Sequence, residues 1–389
     1  MTQLRFTEKA TKGSLRERND ALVLQCVAQG QHARTDVVRE TGLPAATVSA
    51  IVPNLIARRI VREAGHAVSR GGKPRMLLEL DDTHHRFIGV HIGRGRVTVS
   101  RSTLTGRVEY RTTADVDPGA EMSTVVELVR RLQASDGAVT AVGVSVPGIV
   151  GADGVIREAV NFGWHDVPLA TELSRECGVP AHVINDADAI ALSEVARFDE
   201  TDTNMLLLWI GVGIGAGIVL DGRLHHGADF RSGEIGHVDV GVPEVCRCGL
   251  TGCLETVAAI PSIVGDADES VVDRFAAGVD DETTADLRAR VELAARELAR
   301  AMSMLTGALD VSDLVMGGPV TSHPVGPRLL TAVNAVLAGR VMSGFAPFSL
   351  RFSAFGEDSA VVGAVAHAIR QEFGVTLTMA AGEDRSRSA

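Results

Sequence analysis

Residues 233–255, GEIGHVDVGVPEVCRCGLTGCLE, hold Cys246, Cys248 and Cys253 together with His237, Glu234 and Glu255. Three thiolates and one imidazole make a complete tetrahedral ligand set for zinc. A closed four-ligand site leaves no position for water, so its role is to fold a loop. The spacing predicts one structural Zn2+ per chain, held by His237, Cys246, Cys248 and Cys253. Three reduced core cysteines are the alternative, since cysteine is often buried. Cysteines interleaved with Gly249 and Gly252, however, do not read as the face of a helix or strand. Glu234 and Glu255 bracket the loop, so a metal there brings two carboxylates together. Paired carboxylates accept hydrogen bonds from adjacent hydroxyls, the chemistry that holds a polyol.

Elements on either side must position this loop. A chain of 389 residues, 45% hydrophobic, is long enough for two or three domains with a sizeable core. No apolar run reaches the roughly 18–20 residues of a membrane span, and the polar start MTQLRFTEKATKGS lacks the apolar segment of a signal peptide. Five cysteines, an odd number, suit a reducing cytoplasm, which is the expected compartment. The net charge of −11 is unevenly spread. Residues 1–80 carry 13 basic against 7 acidic side chains, and residues 81–389 carry 25 against 42. A basic head on an acidic body suggests that the head alone meets an anionic polymer.

In the head, a helix is expected from Leu15 to near Gly30, with Leu22, Val23, Cys26 and Val27 at helical spacing. Thr35 is expected to cap a short second helix that stops at Gly42, and Pro44 suits the first turn of a third. Val48, Ile51, Val52, Leu55 and Ile56 form the apolar face of that third helix. Pro53 lies inside it, where proline should kink or shorten it at about 3 kcal/mol. Two short helices across a Gly-containing turn are a helix-turn-helix signature. Residues 60–64 and 76–80 read as strands, with a turn expected at Gly65 and a basic Gly-rich tip, SRGGKPR. In the body, apparent strands at 87–100, 139–150, 182–184 and 205–220 alternate with helical patterns at 123–132, 187–196 and 284–309, an α/β layering. Residues 266–282 and the tail from Ala380 are polar and expected to be mobile.

The segments TGLPAATVSAIVPNLIARRIV and SRGGKPRMLLEL resemble the winged helix-turn-helix of the ROK family of repressors and kinases, and the resemblance extends to about Ile369. It implies a winged helix at 15–80 and, at 81–375, an effector and oligomerisation domain with the actin-like, two-lobed sugar-kinase (ribonuclease H-like) α/β fold. Segments 1–14 and 376–389 are expected to be flexible. The implied recognition helix, 45–56, turns Ala45, Ala46, Thr47, Ser49 and Ala50 to the major groove. Its side chains are small, so Thr47 and Ser49 are assigned to phosphates, with Arg70, Lys73 and Arg75 of the wing supplying much of the affinity.

In the body, HVINDADAIALSE resembles the family segment whose Asn–Asp pair holds a sugar, here Asn185 and Asp186, with Asp188 in place of the usual asparagine. GEIGH matches the motif in which the glutamate binds sugar and the histidine both ligates zinc and touches sugar, here Glu234 and His237. Glu255 matches the glutamate after the last cysteine. Loops 145–148 and 161–164 are implied to line the same cleft. GVGIGAG, 211–217, keeps the glycines of the second phosphate hairpin with Val212 replacing threonine, and Gly317–Gly318 resembles the adenosine-side pair. The first phosphate hairpin, DIGGT in family kinases, reads His91-Ile92-Gly93-Arg94-Gly95-Arg96. Phosphoryl transfer depends on charge neutralisation around Mg2+, and the carboxylate for it is missing, although Arg94 and Arg96 could attract an anion. The expected function is therefore a sugar-responsive regulator, a repressor of carbohydrate-use genes and not an enzyme, with Asp186 in the vestigial base position. The alternative is an ATP-dependent sugar kinase that keeps a DNA-binding head. The implied partners are an inverted-repeat operator, a small sugar and a second copy of the chain, as a homodimer or homotetramer, with no membrane.

Overall fold

A computed structural model of the chain describes residues 12–67, 74–134, 137–196, 203–339 and 348–375. The head opens with a helix at Lys12–Ala28, earlier than the expected Leu15. The strand His32–Ala33 and helices Arg34–Thr41 and Ala45–Ala57 follow. Strands Val61–His66 and Met76–Leu80 complete a three-stranded antiparallel sheet with His32–Ala33 on the far side of Met76–Leu80. Val23, Val37, Val48, Val52, Leu55, Ile60 and Leu78 fill the space between helices and sheet. This is a winged helix-turn-helix.

Three details differ from expectation. The second helix is capped at Ala33, not Thr35: the Asp36 carboxylate accepts the Ala33 N–H at 3.1 Å. Asp36 sits one turn in, where a carboxylate also meets the positive end of the helix dipole. Gly65 is not a turn but an irregular point within its strand, with φ 97°, and the ladder continues to a bond from Ala67 N–H to the Arg75 carbonyl. The third helix runs through Pro53 without shortening, and Pro44 stands just outside it as N-cap. Pro53 is exposed, so the carbonyl its ring leaves unpaired faces solvent on the outer side.

The body contains two five-stranded sheets of the same topology. In the first, Arg86–Gly93 is central; Arg96–Thr103 and then Val108–Asp115 follow on one side, each antiparallel to its neighbour, and Val139–Val146 and Ala181–Asn185 lie parallel on the other. In the second, Met205–Ile210 is central, with Ile214–Leu220 and Arg223–Leu224 on one side and the parallel Asp313–Gly317 and Ser349–Phe352 on the other. A meander of three strands followed by two parallel crossovers, occurring twice, is the duplicated ribonuclease H-like architecture. Each sheet buries its own core, Ile88, Val90, Val142, Val144 and Leu169 in one lobe, Leu206, Leu298, Met302, Leu314 and Leu329 in the other. Residues 266–282, expected to be mobile, include the helix Glu269–Ala276, because Val272 and Phe275 bury against the second lobe and Arg328 stacks on Phe275. The tail from Ala380 lies outside the described residues.

Two helices cross between the lobes. Asp186–Val195 packs on the second sheet, and Ser359–Phe373 packs on the first. The approach is backbone to backbone. A Cβ on Gly363 would lie 1.7 Å from the Ala189 carbonyl oxygen, and one on Gly143 would lie 1.8 Å from that of Ala364. Ser359–Phe373 then ends against the head. Phe373 lies under Arg58 and edge-on to His85, whose ring bridges the Arg58 carbonyl (2.9 Å) and Thr140 Oγ1 (2.8 Å). Head and first lobe share one continuous apolar cluster, from Val23 and Leu78 to Phe87, Val365 and Ile369.

Candidate functional site

The cleft between the lobes encloses about 660 Å3 and is lined by Gly148, Asn185, Asp186, Glu234, His237 and Glu255, among others. All five residues expected to bind sugar are brought together. Asn185 ends a strand of the first sheet and caps the helix behind it: its Oδ1 accepts the Ala187 and Asp188 N–H groups at 2.8 and 3.1 Å. Its Nδ2 donates to the Gly148 carbonyl at 2.9 Å, fixing loop 145–148 at the cleft wall. Asn185 is thus largely occupied in positioning. Asp186 follows at the buried start of the helix. One carboxylate oxygen accepts the Ala187 N–H, and the other is buried without a partner. Burial, and then the nearby Asp188 and Glu234, pushes Asp186 up to about 7. An orphaned carboxylate oxygen on a cleft wall fits a ligand hydroxyl donor.

The loop opposite is folded by short local bonds. Val245 bridges Thr251 and Asp239 bridges Cys253, with Gly249 and Gly252 at φ 89° and 86°. A Cβ on Gly252 would meet Asp239 Oδ1 at 2.4 Å, so glycine is required there. His237, Cys246, Cys248 and Cys253 converge, their ligand atoms within 4.8 Å of one another. His237 Nδ1 lies 3.6 Å from Cys246 Sγ, and Cys248 Sγ lies 3.7 Å from Cys253 Sγ. Sulfurs held about 2.3 Å from a tetrahedral ion are about 3.7 Å apart, so the cluster fits a metal such as zinc. His237 faces two ways: Nδ1 points at the sulfurs, and Nε2 lies 3.9 Å from the Glu234 carboxylate. Glu255, buried, accepts the Cys246 thiol at 2.9 Å. Cluster and cleft are therefore one structure, joined through His237 and Glu255.

Several cleft residues were not anticipated. Arg247, between two of the cysteines, donates to the Val212 carbonyl and to Asn161 Oδ1 across the cleft. His226 pairs with Asp188 at 3.0 Å. Alternation was the available signal for Arg247: a residue between two ligands must point away from the metal.

The side of the cleft that carries the expected phosphate motifs is packed by its own side chains. His91 turns inward to Ser145 Oγ at 3.1 Å, and burial pushes its ring down to about 4, so it is neutral near pH 7. The Trp209 indole lies between the two glycine segments. A Cβ on Gly211 would lie 2.4 Å from the indole and one on Gly318 2.9 Å from Nε1. Gly217 is a packing glycine, its Cα facing the Ala187 carbonyl of the crossing helix. In the head, Ala45, Ala46, Ser49 and Ala50 are exposed on the third helix, and Thr47 is half-buried. Arg75 is exposed and donates to Thr35 Oγ1 and Asp36. Arg70 and Lys73 lie outside the described residues.

A winged helix seated on a two-lobed sugar-kinase fold, with a carboxylate cleft walled by a Cys3His cluster, defines the class of protein. The model of the ROK family matches residues 87–371, and the chain belongs to that family. It is 30% identical over 258 residues to the xylose repressor of Caldicellulosiruptor bescii, covering 63% of this chain and 64% of that protein. It is 33% identical over 314 residues to a glucokinase of Halalkalibacterium halodurans, covering 71% of this chain and 93% of the glucokinase. The match thus spans less than two thirds of the repressor's length. A crystal structure of a ROK family transcriptional regulator, a homolog of the E. coli MLC protein, superposes with a TM-score of 0.75 at 25% identity, over 92% of this chain and 96% of the other, and so includes a head. Among the described residues no helix is long and apolar enough to cross a membrane.

Proposed function

We propose that the chain is a sugar-responsive DNA-binding regulator, a repressor of carbohydrate-use genes whose kinase-derived body binds sugar without phosphorylating it. The observation that carries this reading is the pairing of a winged helix with a carboxylate cleft whose phosphate side lacks the metal-binding carboxylate. Trp209 occupies the space between Gly211 and Gly318, and neutral His91 stands where a metal-binding carboxylate is needed. Asp186 Oδ2, Glu234 and Glu255 supply acceptors for sugar hydroxyls, with His237 Nε2 beside them. One Zn2+ per chain, held by His237, Cys246, Cys248 and Cys253, folds the loop that presents Glu234 and Glu255. The partners are an inverted-repeat operator and a second copy of the chain, as a dimer or a dimer of dimers, in the cytoplasm. Thr47, Ser49 and the wing residues Arg70, Lys73 and Arg75 make the DNA contacts, and the likeness to a named repressor and a regulator structure supports this division of labour.

Two measurements test the reading. Labelled operator titrated with and without saturating cognate sugar should give different affinities; equal affinities sink it. A coupled assay with ATP and a hexose panel should show no turnover. Sustained sugar-dependent ATP consumption abolished by Asp186→Asn would establish a kinase instead.

A further inference from the structure

Away from the cleft, three side chains of the head converge in the same manner as the zinc-loop ligands. Cys26 lies near the end of the helix Lys12–Ala28, His32 in the strand His32–Ala33, and Glu40 in the last turn of Arg34–Thr41. Cys26 Sγ is 3.2 Å from Glu40 Oε2, and His32 Nε2 is 3.0 Å from the same oxygen. The sulfur, nitrogen and oxygen all fall within 4.8 Å of one another.

The hydrogen bonding around them is that of a metal site's surroundings. His32 Nδ1 lies 3.0 Å from the Gly30 carbonyl, which can only accept. In the neutral ring Nδ1 therefore carries the proton and Nε2 the lone pair, the tautomer fixed in metal-binding histidines by the same kind of contact. That lone pair faces a carboxylate oxygen. Two acceptors at 3.0 Å need a cation between them, either a proton or a metal ion. The other Glu40 oxygen is held by Arg39 at 3.1 Å, which fixes the carboxylate's orientation. Cys26 is buried, and without metal its S–H donates to Glu40 Oε2. The S–H hydrogen, and any proton shared between Nε2 and the carboxylate, lie in the space that an ion would take.

We propose that Cys26, His32 and Glu40 form a second metal site, in the head, for Zn2+ or another borderline divalent d-block ion. Ligands about 2.0–2.3 Å from a tetrahedral ion stand about 3.3–3.7 Å apart, so only small side-chain movements separate the observed spacing from coordination. Thiolate, imidazole and carboxylate together suit zinc over magnesium or calcium. The Glu40 side chain is 36% exposed and that of His32 17%, so the fourth position opens to water. Binding releases the Cys26 proton and ties three successive elements just ahead of the helix Ala45–Ala57.

The test uses the full chain, stripped by chelator under reducing conditions, titrated with Zn2+ and analysed for metal after desalting. Two equivalents are expected for the wild type. Cys26→Ser, His32→Gln and Glu40→Gln should each lower the count by one, and Cys248→Ser should remove the other equivalent. With Co2+ as probe, the thiolate-to-metal absorption that remains in Cys248→Ser should disappear in the Cys26→Ser/Cys248→Ser double variant. Circular dichroism verifies folding, and Glu40→Gln, a polar isostere at a half-exposed position, serves if Cys26→Ser misfolds. An unchanged metal count in the folded head variants overturns the proposal, as does a Cys248→Ser protein that binds no metal. Failure of the loop site alone would instead leave one equivalent, sensitive to Cys26 and not to Cys248.

Discussion

Asp186 shows most clearly how one residue joins fold to chemistry. An aspartate whose folded pKa is raised to about 7, against about 3.9 in an unfolded chain, binds more protons folded than unfolded between those values. Stability from this group is therefore present at low pH and is lost as pH rises from about 4 to 7. Asp186→Asn should remove that slope and leave the protein more stable at pH 8, by on the order of 2–4 kcal/mol at most; chemical denaturation at pH 5 and pH 8 checks it, and equal slopes in variant and wild type would refute it. A sugar hydroxyl donating to the orphaned oxygen favours the carboxylate, so sugar affinity should rise with pH through about 7 in the wild type and stay flat in Asp186→Asn. At the zinc loop, Cys248→Ser should lower bound metal, the melting temperature and sugar affinity together, because His237 and Glu255 belong to both cluster and cleft. Full sugar affinity in metal-free Cys248→Ser would separate the two. The His/Cys3 cluster was legible in the sequence because its four residues fall within 17 positions. Cys26, His32 and Glu40 were not, because they belong to three elements and each has an ordinary local reading. Trp209 could be read only as a strand residue until the glycines on both sides of its ring were placed in space.

At the scale of elements, periodicity found the head helices and three of the body but not Leu169–Cys177, Gly326–Ala338 or Ser359–Phe373, and other misses have physical causes. Thr35 looked like a cap, but Asp36 competes from inside the first turn and wins, leaving the Thr35 hydroxyl to Arg75. The polar stretch 266–282 hides Val272 and Phe275, two apolar residues that suffice to dock a short helix. Pro53 looked costly, yet an exposed helix face tolerates it because water takes the freed carbonyl. Gly363 reads as a weak point in the helix Ser359–Phe373, where alanine is favoured by about 1 kcal/mol. At the crossing the opposite holds. A methyl group 1.7 Å from the Ala189 carbonyl cannot be accommodated without moving two helix backbones. Gly363→Ala should therefore destabilise the chain by about 1–3 kcal/mol; a melting temperature equal to or above wild type would show that the lobes are free to separate there.

For the molecule as a whole, under the proposed function, the crossing helices and the head joint are the route by which sugar and DNA would communicate. The helix Ser359–Phe373 meets the second lobe's helix at Gly363 and the head at Phe373, so one rigid rod touches all three bodies. Closure of the lobes around a sugar shifts DNA affinity only if it favours one head arrangement over another, and DNA must then alter sugar affinity by the same factor. His85→Ala removes the bridge between the Arg58 carbonyl and Thr140. It should leave sugar binding near wild type and reduce the sugar-induced change in operator affinity several-fold. Paired titrations of each ligand in the presence of the other measure this, and undiminished coupling would place the path elsewhere. The Arg58–Phe373–His85 joint was not legible in the sequence, since Phe373 lies hundreds of residues from Arg58 and His85 and none of the three carries a motif.

That joint also sets an order of events during synthesis. The head leaves the ribosome first, but part of the apolar surface it shares, Val365, Ile369 and Val375, is supplied from the far end of the body. A nascent head must wait with that surface uncovered for nearly the whole of translation, at about 5–20 residues per second. A chain cut short anywhere in the body would carry a winged helix with an unfinished seat, prone to aggregation or proteolysis. The helix Ser359–Phe373 is thus the late-made element on which the seating of the winged helix depends.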